Sequence, residues 1–332
     1  MAGGGLDLVA LGRISVDIYP LDIGVDLEDV RTFGKYVGGS ATNVAIATAR
    51  YGHTAALVTK TGDDAFGRYL KRDLAAEFGV RTDFVTTDAC GHTPVTFCAI
   101  KPPEDFPLYF YRTPAPDMQV TVAEVQSPEL AEAIATARIF WVTGTGLAQE
   151  PIRSAQWAAL EDRAAWGAGA AGAGRAVPQP RYTVFDLDYR RDFWPDPVAA
   201  HSAIASVLGF ADVVVGNQTE CAVAVGGGSP DEQADRLLAA GAGIAIVKMG
   251  SAGVLGKTAA ERVVVPPVVV DTVNGLGAGD AFGGALNHGL LAGWPLGRTL
   301  AFANAAGAYV ARQIACSSAM PTEAEVLELM GE

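Results

Sequence analysis

The sequence predicts an α/β protein built on a mostly parallel sheet, and three observations carry that prediction. Short β-rich runs ("ALVTK", "RIFWVTG", "YTVFDLD", "DVVVGN", "AIAIVKMG") recur along the 332 residues. Ala-rich segments of helical character separate them. Half of the residues are hydrophobic and only 18% are charged, so a substantial core is expected within a single large domain.

The elements follow in order. "LDLVALGRISVDIYP" (6–20) reads as a strand entering a polar loop. "GKYVGGSATNVAIATARYG" (34–52) gives a tight turn at Gly38 and Gly39. A helix then carries Val44, Ala47 and Thr48 on one face and stops at Gly52. Ser40 is the expected N-cap. "DDAFGRYLKRDLAAEFG" (63–79) is a second helix capped by Asp63 or Asp64. "TPVTFCAIKPPEDFPLYFYRT" (93–113) reads as two antiparallel strands around the Pro-rich loop 102–107, the material of a small β lid formed by about 13–36 and 92–115. "GAGAAGAG" (167–174) is a low-complexity stretch. Glycine this dense is a poor helix former, so 167–180 is expected to be a mobile surface loop.

The net charge of −13 disfavours nucleic acid or an anionic membrane as partner, but not a small anion met by local donors. Four dispersed cysteines form no CxxC pair, and the four histidines lie apart in the sequence, which argues against a zinc site or a disulfide scaffold. There is no long apolar run, and the reading is a reduced, cytoplasmic protein.

"KMGSAGVLGKT" (248–258) imitates the end of a P-loop, but the required first glycine is Ser251. It is better read as a strand, a Ser-Ala-Gly turn and a returning strand, with Lys257 a solvated lysine. The stronger anion site is "VVVDTVNGLGAGDAFGGALNHGLLAG" (268–293), an apolar strand, a Gly-rich turn and a helix beginning near Gly277. Small residues Gly277, Ala278 and Gly279 leave backbone N–H groups open to an anion. Asp280 beside them suits a general base for a hydroxyl attacking a phosphoryl group. The plain alternative is that Asp280 only complements the helix dipole.

Three weaker stretches join it. Asn43 follows the Gly38-Gly39 turn and can serve vicinal hydroxyls. Asn217 and Glu220 either form a capping box or orient water on Mg²⁺, and the two roles are compatible. In "VFDLDYRRDFW" (184–194), Asp186 and Asp188 point the same way if the strand continues. Arg190 then lies just beyond the strand end, where open α/β sheets bind ligands.

Their order along the chain resembles the PfkB/ribokinase family of carbohydrate kinases, over residues 7–320. The resemblance implies a ribokinase-like fold with a β lid over the sugar, and phosphorylation of a primary hydroxyl with ATP and Mg²⁺. It implies Asp280 as catalytic base and Gly277, Ala278 and Gly279 as anion hole. Asp17, Gly39 and Asn43 become sugar contacts, Lys248, Gly250 and Asn304 nucleotide contacts, and Asn217 and Glu220 the Mg²⁺/phosphate pair. The family usually has Asp-Thr where Asn274 and Gly275 stand, at the loop that would support K⁺, a further candidate cofactor. The family often has Asn in place of Asp188.

The nearest subgroup acts on a six-carbon keto acid. Such a substrate needs a cation for its carboxylate, for which Arg112 is the first candidate and Lys35 the second. The open alternatives are a kinase of the same family acting on 2-keto-3-deoxygluconate, fructose or ribose, a nicotinamide-dependent dehydrogenase, and a non-catalytic sugar- or nucleoside-binding regulator. Exposed lid edges invite a homodimer.

Overall fold

A computed structural model describes residues 5–101, 106–172 and 177–332. The strands are β1 (Leu8–Leu11), β2 (Ser15–Pro20), β3 (Phe33–Gly38), β4 (Ala55–Gly62), β5 (Val85–Asp88), β6 (Val95–Cys98) and β7 (Leu108–Tyr111). They continue with β8 (Ile139–Thr143), β9 (Tyr182–Asp186), β10 (Val213–Asn217), β11 (Ile244–Lys248), β12 (Val254–Lys257) and β13 (Arg262–Val265). Nine of these form one sheet in the order β13-β12-β11-β10-β9-β8-β1-β4-β5. Pairing is parallel from β5 across to β11, and antiparallel only at β12 and β13.

The sheet is apolar on both faces because its strands are apolar at both alternations. Leu8, Ala10, Ile139, Trp141, Val213 and Ile246 pack into one core. Helices Ser40–Arg50, Ala278–Ala292 and Leu296–Ala311 cover that face. Val9, Leu11, Phe140, Val142, Val214 and Val247 pack into the other. Helices Pro128–Thr136, Ile152–Gly172, Pro197–Ala205 and Pro230–Ala239 cover that side.

The second sheet has four strands in the order β3-β2-β6-β7. β6 and β7 are the antiparallel pair expected from the sequence. Residues 102–105 of their connection lie outside the described residues. β2 is a departure, because a polar loop was expected after β1. Ser15, Asp17 and Tyr19 alternate with Val16 and Ile18, a period of two that forms a strand in a different sheet from β1.

The Gly/Ala stretch is also corrected. Helix Ile152–Gly172 runs through residues 167–172 instead of ending before them. Its small residues admit a neighbour: Ala170 is buried, and the Arg181 guanidinium lies against Gly167 and over the Trp166 ring at 5.6 Å. Residues 173–176 of the expected loop lie outside the described residues.

Asp64 caps helix Ala65–Ala76 through Gly67 N–H. Ser40 does not cap its helix. The cap position is Gly39, and Ser40 Oγ instead donates to Asp188 at 2.8 Å. The P-loop imitation is β11, a turn at Gly250–Ala252 and the returning β12. Lys257 sits on Asp231 and Asp235.

Candidate active site

Parallel strands deliver their C-terminal residues to one edge, the usual ligand edge of an open α/β sheet. Thr143 pairs with Asp186, and Asn217 with Lys248, so β8 to β11 end side by side. Helix Ala278–Ala292 starts above this edge. Its cap, Gly277, has φ 80°, and a Cβ there would lie 2.6 Å from Cys316 Sγ. A Cβ on Gly279 would lie 3.4 Å from Lys248 Nζ. Unpaired helix N–H groups and a lysine ammonium therefore converge on one spot, which suits a phosphate. Burial opposes the Lys248 charge, but Asp186, Glu220 and Asp280 outweigh it and raise its pKa.

Asp280 is half-buried in the first turn of that helix. Burial pushes its pKa up to about 6; Asp188 adds to the rise, while a hydrogen bond from Asn43 Nδ2 (2.8 Å), Arg190 and Arg13 oppose it. The close approach of helix Ser40–Arg50 makes that bond possible: a Cβ on Gly284 would lie 2.2 Å from that of Ala47. A carboxylate with a pKa near neutrality can hold a proton taken from a hydroxyl and release it again.

Two clefts flank this point. One is lined by Arg13, Asp17, Gly39, Asn43, Arg190 and Asp280, with Leu108 and Phe110 of β7 closing it. The inner face of β7 is thus Leu108 and Phe110, while Tyr109 and Tyr111 are exposed. Asp17 accepts from Ser15 Oγ (2.7 Å) and Tyr19 Oη (2.9 Å), and burial raises its pKa despite both bonds. Gly39 has φ 101°, and a Cβ there would lie 2.4 Å from the Arg13 carbonyl, so only glycine fits. Asn43 Oδ1 is buried without a partner among the described residues, an acceptor placed to receive a hydroxyl.

The other cleft, of about 500 Å³, is bordered by Lys248, Gly250, Ala278, Gly279 and Asn304. Val254, Val268 and Phe282 make it largely apolar, as a planar base requires. Asn304 donates to the Pro266 carbonyl at 2.8 Å. Asn217 and Glu220 form a closed capping box at the end of β10. Only Oε2 of Glu220 enters the box.

A family model described as pfkB family carbohydrate kinase matches residues 6–323. The chain belongs to this family. Among curated relatives of the kinase, the 5-dehydro-2-deoxygluconokinase of Photobacterium profundum is 32% identical, covering 97% of this chain and 93% of its own length. That of Shouchella clausii is 30% identical, covering 99% and 97%. A crystal structure of a PfkB protein from Polaromonas sp. JS666 superposes with a TM-score of 0.82 at 26% identity, covering 97% and 99%. The fructokinase of Xylella fastidiosa with bound ATP gives 0.81 at 25%, covering 98% of both chains.

Not every expected site residue of the kinase reaches the clefts. Arg112 Nη2 lies 2.8 Å from both oxygens of Asp117, and the side chain lines an adjoining cleft with Tyr109 and Phe193. Lys35 sits on the outer side of its strand, with Nζ 3.6 Å from the centroid of the Tyr69 ring. Asp186 and Asp188 do not continue one strand: β9 ends at Asp186, and Asp188 turns into the left-handed region at φ 27°. Asn274 is buried, and it fixes the loop before Gly277 by donating to the Ile314 carbonyl and accepting from Leu276 N–H.

Arg13 was missed. It lines the first cleft, pairs with Asp188 at 2.8 Å and stacks over Phe193 at 5.3 Å. Its only signal in the sequence is a basic residue one glycine beyond an apolar strand.

Proposed function

We propose that this kinase transfers the γ-phosphoryl group of ATP to the terminal hydroxyl of 5-dehydro-2-deoxy-D-gluconate, a keto-sugar acid of inositol breakdown. The observation that carries the reaction is Asp280 standing where the two clefts meet, beside open helix N–H groups and Lys248. The names of the relatives favour the substrate.

Asp17, Gly39 and Asn43 hold substrate hydroxyls, and Arg190 meets the anionic parts of the bound pair. The terminal hydroxyl gives its proton to Asp280 as its oxygen bonds to the γ-phosphorus. The bond from that phosphorus to the bridging oxygen breaks, and ADP leaves. N–H groups at Gly277, Ala278 and Gly279, with Lys248, stabilise the charge on the transferring group. Gly250 and Asn304 border the nucleotide. Glu220, with Asn217, would hold Mg²⁺ through water, consistent with its oxygen outside the capping box. Mg²⁺, when bound, neutralises phosphate charge. The small sheet acts as a lid that excludes water. Its outer face, with Phe33, Tyr109 and Tyr111 exposed, supports pairing of two chains.

The test is ADP release over a panel of keto-sugar acids and neutral sugars. The keto acid should give the highest kcat/KM. A higher value for fructose, ribose or 2-keto-3-deoxygluconate would refute the substrate.

A further inference from the structure

We propose that Arg13 selects acid over neutral substrates: with Arg190 it forms a seat for one substrate carboxylate, and Asp188 locks both guanidinium groups in place. The proposal rests on the reading of the substrate as a keto acid.

Arg13 lies in the short crossing from β1 to β2. It is only 6% exposed, yet it lines the substrate cleft. Nε donates to Thr145 Oγ1 at 3.1 Å, and Nη2 to Ser40 Oγ at 3.0 Å and Asp188 Oδ2 at 2.8 Å. These bonds fix the plane of the guanidinium. Nη1 donates no hydrogen bond among the described residues, so the fork keeps donor capacity for an anion.

Asp188 Oδ2 accepts from Arg13, Ser40 and Thr145, and Oδ1 lies 3.1 Å from Arg190 Nη2. Among the described residues Asp188 is the only non-glycine with positive φ. This region is uncommon outside glycine, though Asp enters it more readily than most residues, and here the bonds to Arg13, Ser40, Thr145 and Arg190 hold it. Arg13 and Arg190 are the two cations among the residues lining this cleft, and Asp188 pairs with both. Asp17 and Asp280 line it too, so a substrate carboxylate has to be met by these two guanidinium groups. The lid reaches the same place, since Phe110 packs on Phe193 at 5.1 Å and Arg13 stacks on that ring.

The experiment compares kcat and KM for the keto acid and for its neutral carboxamide. It uses the wild type, Arg13→Lys and Arg13→Met, in which Asp188 keeps its pair with Arg190 and its bonds from Ser40 and Thr145. In Arg13→Met kcat/KM for the acid should fall roughly ten- to a hundredfold, mainly through KM, as expected for loss of a charged hydrogen bond. The carboxamide should hold or improve. Arg13→Lys keeps the charge but loses the fork, and should fall less. A urea titration shows that each variant is folded. If either folded variant lost acid and carboxamide turnover by the same factor, or lost neither, Arg13 would be a structural tie and the proposal would fail. Wild-type preference for the carboxamide over the acid would instead sink the substrate reading itself.

Discussion

Replacing Asn43 by alanine should move the acid limb of the pH–rate profile toward higher pH. Asn43 Nδ2 donates to Asp280 Oδ2 at 2.8 Å, a bond that favours the ionised carboxylate. Burial holds the pKa of Asp280 at about 6 with that bond in place. Only the ionised form can accept a proton, so below pH 6 wild-type kcat/KM should fall about tenfold per pH unit. A hydrogen bond to a charged group is worth about 1.5–3 kcal/mol. At about 1.4 kcal/mol per pKa unit, its loss raises the pKa by roughly one to two units. The ionised fraction at pH 7 then drops from about 90% to half or less. The assay is coupled ADP release from pH 5 to pH 9, read as the position of the limb and not as absolute rate. Asn43 also faces the substrate, so a lower plateau is expected and decides nothing. A limb that stays in place, or moves to lower pH, would refute the reading of Asp280 as the base whose pKa sets the profile.

Three further outcomes follow from the same geometry. Asp280→Asn should remove nearly all turnover while ATP affinity by calorimetry stays close to normal; retention of half the wild-type kcat would exclude the role of base. Gly39→Ala forces a Cβ within 2.4 Å of the Arg13 carbonyl at φ 101°, and should cost at least about 2 kcal/mol, visible as a lower urea midpoint. Lys257→Ala removes only the pairs to Asp231 and Asp235, so ATP affinity should stay within about twofold of wild type. Loss of ATP binding would place Lys257 in the nucleotide site after all.

The parts of the fold that were legible in the sequence are those dictated by local pattern. Buried parallel strands are apolar at every position, as in β8 (Ile139–Thr143), and they read directly. The Asn217 and Glu220 capping box is likewise a local pattern. β2 was hidden because half of its residues are polar and face a cleft. The end of helix Ile152–Gly172 was hidden because glycine propensity is overridden where a neighbour such as Arg181 packs against it. In the site, Asp280 and its glycines lie within four residues of one another. Arg13 meets its partner Asp188 only through the fold, 175 residues away. No spacing rule reaches that far, whereas Arg112, the first cation expected for a carboxylate, has its counter-ion Asp117 only five residues on.

Hydrogen bonds join strands within each sheet, and no strand belongs to both. Asp17 and Phe110 stand on the small sheet, whereas Lys248 and Asp280 stand on the large one or on a helix packed against it. Arg13, Asn43 and Arg190 line the same cleft but stand outside the small sheet: Arg13 on the crossing between the two sheets, Asn43 on helix Ser40–Arg50 and Arg190 beyond β9. Re-lining β2, β3, β6 or β7 would thus alter one wall of that cleft, and transplanting the four strands would carry the wall without its two guanidinium groups.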